Sequence, residues 1–235
     1  RGQQNKHQEA HDLAQATLGD HPYFVGAYRP IGFAHLQLKN DERALEAGQY
    51  LIAWNPRSPA GFELASKASL RTNNLADAED YAAKAVACDP KNPAAHWSLG
   101  QALFAKRDYK RGYPSYKTAA ELTPGPLPAF RQPARELVAQ SLYPEASWLY
   151  AEILKRDPTD QSAWDNLIGI LQVTRETNEA RDHLGPSLAR LSPGQKKALD
   201  AIVPADGRPT NATDNLNRPI NYQQPPLLQN LRRRN

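Results

Sequence analysis

The residues best suited to chemistry in this sequence are a histidine pair and a single cysteine. His7 and His11 stand four apart in "HQEAH", on one helical face, but the glutamate follows the first histidine by two positions, whereas zinc proteases need it immediately next. No base is specified near Cys88, which we interpret as a small buried apolar residue. These residues predict no catalytic or metal site, and the sequence implies no cofactor.

Other chemical signatures are equally weak. Gly185 and Gly194 are isolated, so no glycine-rich phosphate loop is indicated. The triplet Asn211-Ala212-Thr213 fits the glycosylation pattern, which matters only in a secretory compartment. We therefore predict that this chain is not an enzyme.

The charge distribution disfavours nucleic-acid binding. The formal net charge is +4, and the five arginines and two aspartates of residues 204–235 account for +3 of it. The rest of the chain is close to neutral, which is too little for contacts along a phosphate backbone. One cysteine leaves the redox compartment open, and the first residue is not Met, so we expect a processed or truncated end. The compartment stays open between a bacterial cytoplasm and, if a leader was removed, the periplasm or envelope.

The elements that would position any site follow a strict period. A proline recurs every 34 residues and then once after 35, at Pro22, Pro56, Pro90, Pro124, Pro158 and Pro193. Each period holds two amphipathic stretches of about a dozen residues, separated by a polar break such as Lys106-Arg107-Asp108. Because proline cannot continue a helix, it ends the second stretch at a constant place. The period predicts an all-α stack of antiparallel helix hairpins, an α-solenoid.

The third period resembles the tetratricopeptide repeat (TPR) in its residue types. Its matching residues are Trp97 (shifted by one position), Leu99-Gly100, Asp108-Tyr109, Gly112, Tyr116, Ala119 and Pro124. The resemblance spans about residues 7–194 and implies the following repeats: 25–58, 59–92, 93–126, 127–160 and 161–194. We expect an N-terminal half-repeat at 7–24, a cap helix at 195–203 and an extended Pro/Asn/Gln-rich tail at 204–235. Residues 1–203 would form the repeat domain.

Several residues test this assignment. Pro30 falls in the first turns of its helix, where it is tolerated, whereas Pro133 should weaken its helix. Pro114 predicts a kink or a late helix start. We assign the four tryptophans to the core by default, and we expect Trp164 to lie wedged between the fourth and fifth hairpins. Their positions are Trp54, Trp97, Trp148 and Trp164.

The family resemblance also implies a binding surface, because the first helices of such arrays line a concave groove that holds peptides. The lining positions are Arg29, Phe33, Glu63, Lys67, Arg71, Trp97, Gln101, Phe104, Arg131, Arg135, Asp165, Gly169 and Gln172. From these we select as partner-binding residues Arg29, Phe33, Lys67, Arg71, Trp97, Gln101, Phe104, Arg131 and Arg135. Aromatic and cationic side chains together suit an acidic-hydrophobic or tyrosine-containing segment. We expect truncation of Arg131 and Arg135 to leave the thermal midpoint nearly unchanged.

The sequence thus favours a non-enzymatic scaffold or adaptor of a larger, bacterial-type assembly, with a protein or peptide segment as partner. The alternative is the repeat region of a larger transferase-type enzyme whose catalytic domain lies outside this chain. The tail offers a second contact with a partner, through a small apolar patch backed by three arginines. Its candidate anchors are Tyr222, Leu227, Leu228 and Leu231.

Overall fold

A computed structural model describes residues 25–174 and the single positions 12, 16 and 193. Within this part the chain forms nine α-helices and two short 3-10 turns, Val25–Ala27 and Pro128–Phe130, with no strand. The helices are α1 (Tyr28–Gln37), α2 (Asp41–Trp54), α3 (Pro59–Arg71), α4 (Leu75–Cys88), α5 (Pro93–Ala105), α6 (Tyr109–Leu122), α7 (Arg131–Ala139), α8 (Tyr143–Arg156) and α9 (Gln161–Thr174). The predicted half-repeat, the last second helix, the cap and the tail lie outside the described residues.

The helices pair as the proline period predicts. The chain divides into two compact units, Arg1–Thr123 and Pro124–Asn235. In the first unit each helix from α1 to α6 packs on the next, and α3 also contacts α1 and α5. In the second unit α8 packs on both α7 and α9. The prediction of an all-α solenoid built from stacked hairpins is confirmed.

The turn inside each hairpin has one recurring backbone geometry. Four non-glycine residues spaced 34 apart have positive φ: Lys39 (62°), Asn73 (60°), Arg107 (61°) and Ser141 (59°). Each follows a first helix, and its N–H bonds to the carbonyl three residues back, while the next N–H bonds to the carbonyl five residues back. This is the Schellman arrangement, which satisfies carbonyls left open at a helix end. The polar breaks seen in the sequence are these turns.

The starts of the first helices take two forms. In α3 and α5 a proline is the first helical residue, and Ser58 or Asn92 before it accepts a hydrogen bond from the backbone N–H two residues on. In contrast, α1 and α7 each follow a 3-10 turn and carry a proline, Pro30 or Pro133, as their third residue. At that position the missing N–H has no helical partner to lose. Pro30 is tolerated as predicted, and α7 has only nine residues against 13 in α3.

Pro114 does not delay its helix. The helix α6 begins at Tyr109, five residues before Pro114, and the Gly112 N–H already bonds to the Asp108 carbonyl at 2.9 Å. Of the two expected consequences of Pro114, the late start is therefore wrong, and the kink stays a prediction. An interior proline costs roughly 3 kcal/mol, and the buried side chains of Tyr116 and Ala119 on the same helix offset this loss by packing against the rest of the stack.

The tryptophans separate into different environments. Trp164 is 1% exposed and its indole N–H donates to the Pro158 carbonyl at 2.9 Å, so its predicted burial is confirmed. Trp54 is 59% exposed, so its assignment to the core is wrong. Trp54 is the last residue of α2 and lies where the helix ends rather than between helices. Cys88 is half-buried beside Phe62, with its Sγ 3.6 Å from the Pro56 carbonyl oxygen.

The positive φ of Arg107 predicts how a glycine at this position changes the free energy of unfolding. A left-handed conformation costs an L-residue with a side chain roughly 1–2 kcal/mol, and glycine adopts it freely. We expect Arg107→Gly to stabilise the protein by about 0.5–1 kcal/mol after the entropy of the unfolded chain is counted. Ala105→Gly, at the last residue of α5, should instead destabilise by a similar amount. Urea unfolding compares the two, and equal losses would contradict this account of the turn.

Candidate partner-binding surface

The first helices of the first unit form one layer, because α3 contacts both α1 and α5. The predicted lining residues from Arg29 to Phe104 belong to this layer. Arg131 and Arg135 belong to α7 in the second unit. A groove running from one unit to the other stays a prediction.

Five side chains of the first unit make a cluster around Phe33. The Arg29 guanidinium carbon is 5.8 Å from the centroid of the Phe33 ring, and the Lys67 Nζ is 5.0 Å from it. Both distances lie within the range of cation–π attraction. With Glu63 and Asn92 these residues are called the Phe33 cluster below. They bring together side chains from α1, from α3 and from the residue that precedes α5.

Glu63 is a buried carboxylate in this cluster. It is 2% exposed, and its Oε1 accepts a hydrogen bond of 2.7 Å from the Asn92 side-chain amide. Its Oε2 lies 3.8 Å from an Arg29 nitrogen. A buried charge needs such partners, because an unpaired carboxylate in a protein interior is costly. Glu63 therefore fixes Asn92 and holds Arg29 near Phe33 rather than facing a partner itself.

Of the two cations in the Phe33 cluster, Lys67 is the one less restrained by a carboxylate. Burial lowers the pKa of Lys67, the Glu63 carboxylate acts in the opposite direction, and the charge of Arg29 adds to the lowering. Among the residues that the structure describes, no carboxylate forms an ion pair with its ammonium. Lys67 thus carries a partly desolvated charge beside an aromatic ring.

The remaining predicted residues of this unit differ in how strongly they contact other residues of the same unit. The Arg71 Nε lies 2.6 Å from a carboxylate oxygen of Asp41, which ties α3 to the start of α2. Trp97 is half-buried and meets the Tyr116 ring edge-on, with centroids 4.9 Å apart. Gln101 is partly exposed on α5. All three reach the surface of the unit, but the guanidinium of the exposed Arg71 is already paired with Asp41.

Phe104 does not lie on the surface of its unit. It is 5% exposed and its ring packs edge-on against Tyr109 and Tyr116, at centroid distances of 5.0 and 4.7 Å. A Cβ added at Gly112 would stand 2.5 Å from the Phe104 ring, so the absent side chain of Gly112 makes room for it. The placement of Phe104 in the groove lining is corrected: it belongs to the interior of the hairpin of α5 and α6.

In the second unit, Arg131 forms an ion pair with a buried aspartate. Its Nε lies 2.6 Å from Asp160 Oδ2, and the Asp160 side chain is 3% exposed. The other Asp160 oxygen accepts from the Ala163 N–H at 3.1 Å and so caps α9. Arg135 is exposed, and its charge opposes the effect of burial, which raises the pKa of Tyr150. The premise that both arginines are free surface charges is wrong for Arg131.

A side-chain hydrogen bond that connects two successive repeats occurs at equivalent places in both units. Glu63 and Asn92 are 29 residues apart, and so are Arg131 and Asp160. In each case a side chain on a first helix bonds to the residue that caps the next first helix, and that capping residue also accepts from a backbone N–H of its own helix. Neither Asn92 nor Asp160 was predicted from the sequence as a contact between repeats. The available signal was a polar residue directly before a first helix, 29 residues after a charged lining position.

The other predicted positions add little to the surface. Asp165 is exposed and accepts from the Gln161 amide at 2.9 Å, while a Cβ at Gly169 would meet nothing within 4 Å. The Gln172 side chain lies outside the described residues. The tail anchors Tyr222, Leu227, Leu228 and Leu231, like His7 and His11, also lie outside them and stay predictions.

Two kinds of feature are absent from the described part of the chain. No group of three or more His, Cys, Asp or Glu side chains is placed there to hold a metal ion. None of its helices combines the length and apolar character needed to cross a membrane.

Comparison with known proteins agrees with this geometry. Residues 64–125 match the family model described as tetratricopeptide repeat. TTC0263, a thermophilic TPR protein of Thermus thermophilus, has a similar structure with a TM-score of 0.59 at 21% identity, over 72% of this chain and 92% of that protein. YrrB, a TPR protein with an unusual peptide-binding site, gives 0.53 at 18% identity, over 82% and 93%.

A subunit of a larger assembly is also similar. The APC/C hetero-tetramer Cut9–Hcn1 contains a chain that gives a TM-score of 0.59 at 16% identity, over 85% of this chain and 40% of that one. No curated protein matches the sequence. The stacked hairpins define a helical repeat protein. The family match covers residues 64–125, and the fold of the described residues is similar to that of solved tetratricopeptide-repeat proteins.

The ion pair between Arg131 and Asp160 predicts a loss of stability when the arginine is truncated. Arg131→Ala leaves a buried carboxylate without its cation, and we expect a loss of about 1–3 kcal/mol in the free energy of unfolding. Gln132→Ala, an exposed neighbour on the same helix, should change it by less than about 0.5 kcal/mol. Thermal or urea unfolding distinguishes the two.

A rescue tests the cause of that loss. Asp160→Asn removes the charge and keeps an oxygen to cap α9, so adding it to Arg131→Ala should restore part of the stability. Equal losses in the single and double variants would show that the charge of Asp160 does not matter.

Proposed function

We propose that this chain is a non-enzymatic scaffold that binds a segment of a partner protein on the first-helix layer of the unit Arg1–Thr123. Its role would be that of an adaptor within a larger assembly. Tetratricopeptide-repeat proteins are interaction modules, YrrB is described by its peptide-binding site and Cut9 by the hetero-tetramer it forms with Hcn1. These likenesses support the class of function and leave the partner to be inferred from the residues of this chain.

The observation that carries the proposal is the Phe33 cluster. Interface energy concentrates in a few aromatic and arginine side chains surrounded by less important contacts. Here Arg29, with 56% of its side chain exposed, and the half-buried Lys67 flank one partly exposed ring. The buried Glu63 holds part of this arrangement in place before any partner arrives, which lowers the entropy cost of binding.

The layer around the cluster suits an extended segment. Gln101 on α5 and the exposed part of Trp97 continue the surface from α3 toward α5. An amide and an indole ring provide hydrogen bonding and apolar contact along this direction. A peptide lying across α1, α3 and α5 would meet charge, ring and amide in succession.

Site-specific photo-crosslinking tests which face the partner contacts. A crosslinking amino acid replaces Gln101 on α5 in one protein and the exposed Lys110 on α6 in a matched control. We expect partner adducts from position 101 and few or none from position 110, because only the first-helix layer would face the partner. Mass spectrometry of the products identifies the contacted segment. Adducts at position 110 alone, or equal adducts at both positions, would move the binding surface elsewhere.

A further inference from the structure

The cationic groups of the first-helix layer in the first unit differ in how completely they are neutralised. Arg71 is paired with Asp41 at 2.6 Å. Arg29 reaches Glu63 only at 3.8 Å, a distance too long for a direct hydrogen bond. The Lys67 Nζ lies 5.0 Å from the centroid of the Phe33 ring, and within the described residues it forms no ion pair with a carboxylate. Two of the three cations therefore retain capacity for an additional anion.

The negative charge in the cluster is not available to attract a cationic partner. Glu63 is 2% exposed and one of its oxygens is bonded to Asn92. The side chain of Arg29, by contrast, is 56% exposed. The surface that a partner meets is therefore positive, although the cluster as a whole carries only one net positive charge.

We infer that the Phe33 cluster binds an acidic side chain of the partner segment, with its carboxylate placed between Arg29 and Lys67. This inference rests on the proposed function and specifies the chemistry of the segment. The carboxylate would form charge-assisted hydrogen bonds with both cations, which are stronger than hydrogen bonds between neutral groups. It would also place a counter-charge at ion-pair distance from the half-buried ammonium, which the Glu63 carboxylate now influences only from farther away.

The depressed pKa of Lys67 agrees with this reading. Burial disfavours the protonated form of the lysine, and an incoming carboxylate reverses the effect by favouring it. Part of the cost of burying the ammonium is thus already present in the free protein. Binding of an anion recovers that cost, whereas binding of a neutral segment does not.

The cluster suits a protein carboxylate better than a nucleic acid. A phosphate backbone is recognised by many cations spread along a stripe. In this layer Arg71 is already neutralised by Asp41, and outside residues 204–235 the chain has a net charge of only +1. Two adjacent cations over one ring match a single carboxylate.

Fluorescence anisotropy with the full chain and a matched pair of labelled peptides tests the inference. One peptide is a short extended segment of Asp and Glu around a central leucine, and the other has Asn and Gln in their place. We expect the acidic peptide to bind at least about tenfold more tightly, since hydrogen bonds to charged groups contribute more than neutral ones. Its affinity should fall as salt is raised.

Variants locate the effect. Lys67→Gln should weaken binding of the acidic peptide by roughly tenfold and leave the thermal midpoint unchanged or higher, because it removes a partly buried charge. Lys67→Arg should retain most of the affinity, and Lys110→Gln on α6 should retain all of it. Arg29→Gln gives an independent second measurement at an exposed position.

Three outcomes would overturn the inference. They are equal affinity for the two peptides, an undiminished affinity of Lys67→Gln and Arg29→Gln, or preferential binding of a labelled single-stranded oligonucleotide. If crosslinks form at position 101 while the acidic peptide shows no advantage, the proposed surface stands and only the acidic nature of the segment is wrong. If neither is observed, the surface itself is wrong.

Discussion

The close approach of successive helices is the constraint on which the rest of the structure depends. A Cβ at Gly48 on α2 would stand 2.8 Å from the Ala65 backbone nitrogen, and a Cβ at Gly61 on α3 would stand 2.8 Å from that of Ile52. Atoms do not approach this closely without displacement, so the two backbones touch only because these side chains are absent. Along the first unit fully buried alanines continue the pattern, at Ala44, Ala65, Ala68, Ala78, Ala82, Ala85 and Ala95. Small residues thus set the spacing of the stack, and the spacing places the first helices side by side.

That spacing also decides which polar side chains make contacts between repeats and which remain available for the proposed contact with a partner. Once neighbouring first helices are packed, a side chain on one can reach the cap of the next, as Glu63 reaches Asn92 and Arg131 reaches Asp160. Such a side chain is fixed in one conformation, and its hydrogen bond stabilises the contact between repeats. Lys67, one helical turn beyond Glu63, has no such cap to reach and keeps its charge near the surface. Along α3, a side chain that connects two repeats is therefore followed one turn later by one that is available for the proposed contact with a partner.

Sequence analysis predicted the features that depend on local chemistry. The proline period located the hairpin boundaries, and polar breaks such as Lys106-Arg107-Asp108 located the turns, because helix termination is determined by a few neighbouring residues. It could not predict contacts made across 29 residues, so Asp160 was missed. It also could not separate Phe104 from Trp97, since both project from α5 and only the packing of α6 decides which is buried. Helical periodicity indicates on which face of a helix a side chain lies, but it does not indicate how deeply that side chain is buried.

Comparing two glycine substitutions in the full chain tests the close-approach account most directly. Gly48→Ala would place a methyl group against the Ala65 backbone, whereas Gly169→Ala on α9 would place one in open space. Both replace a helical glycine, so both gain the same propensity of about 0.5–1 kcal/mol. We expect Gly48→Ala to lower the thermal midpoint by several degrees, and Gly169→Ala to leave it unchanged or raise it. A Gly48→Ala protein as stable as Gly169→Ala would contradict the claim that helix spacing is set by the missing side chains.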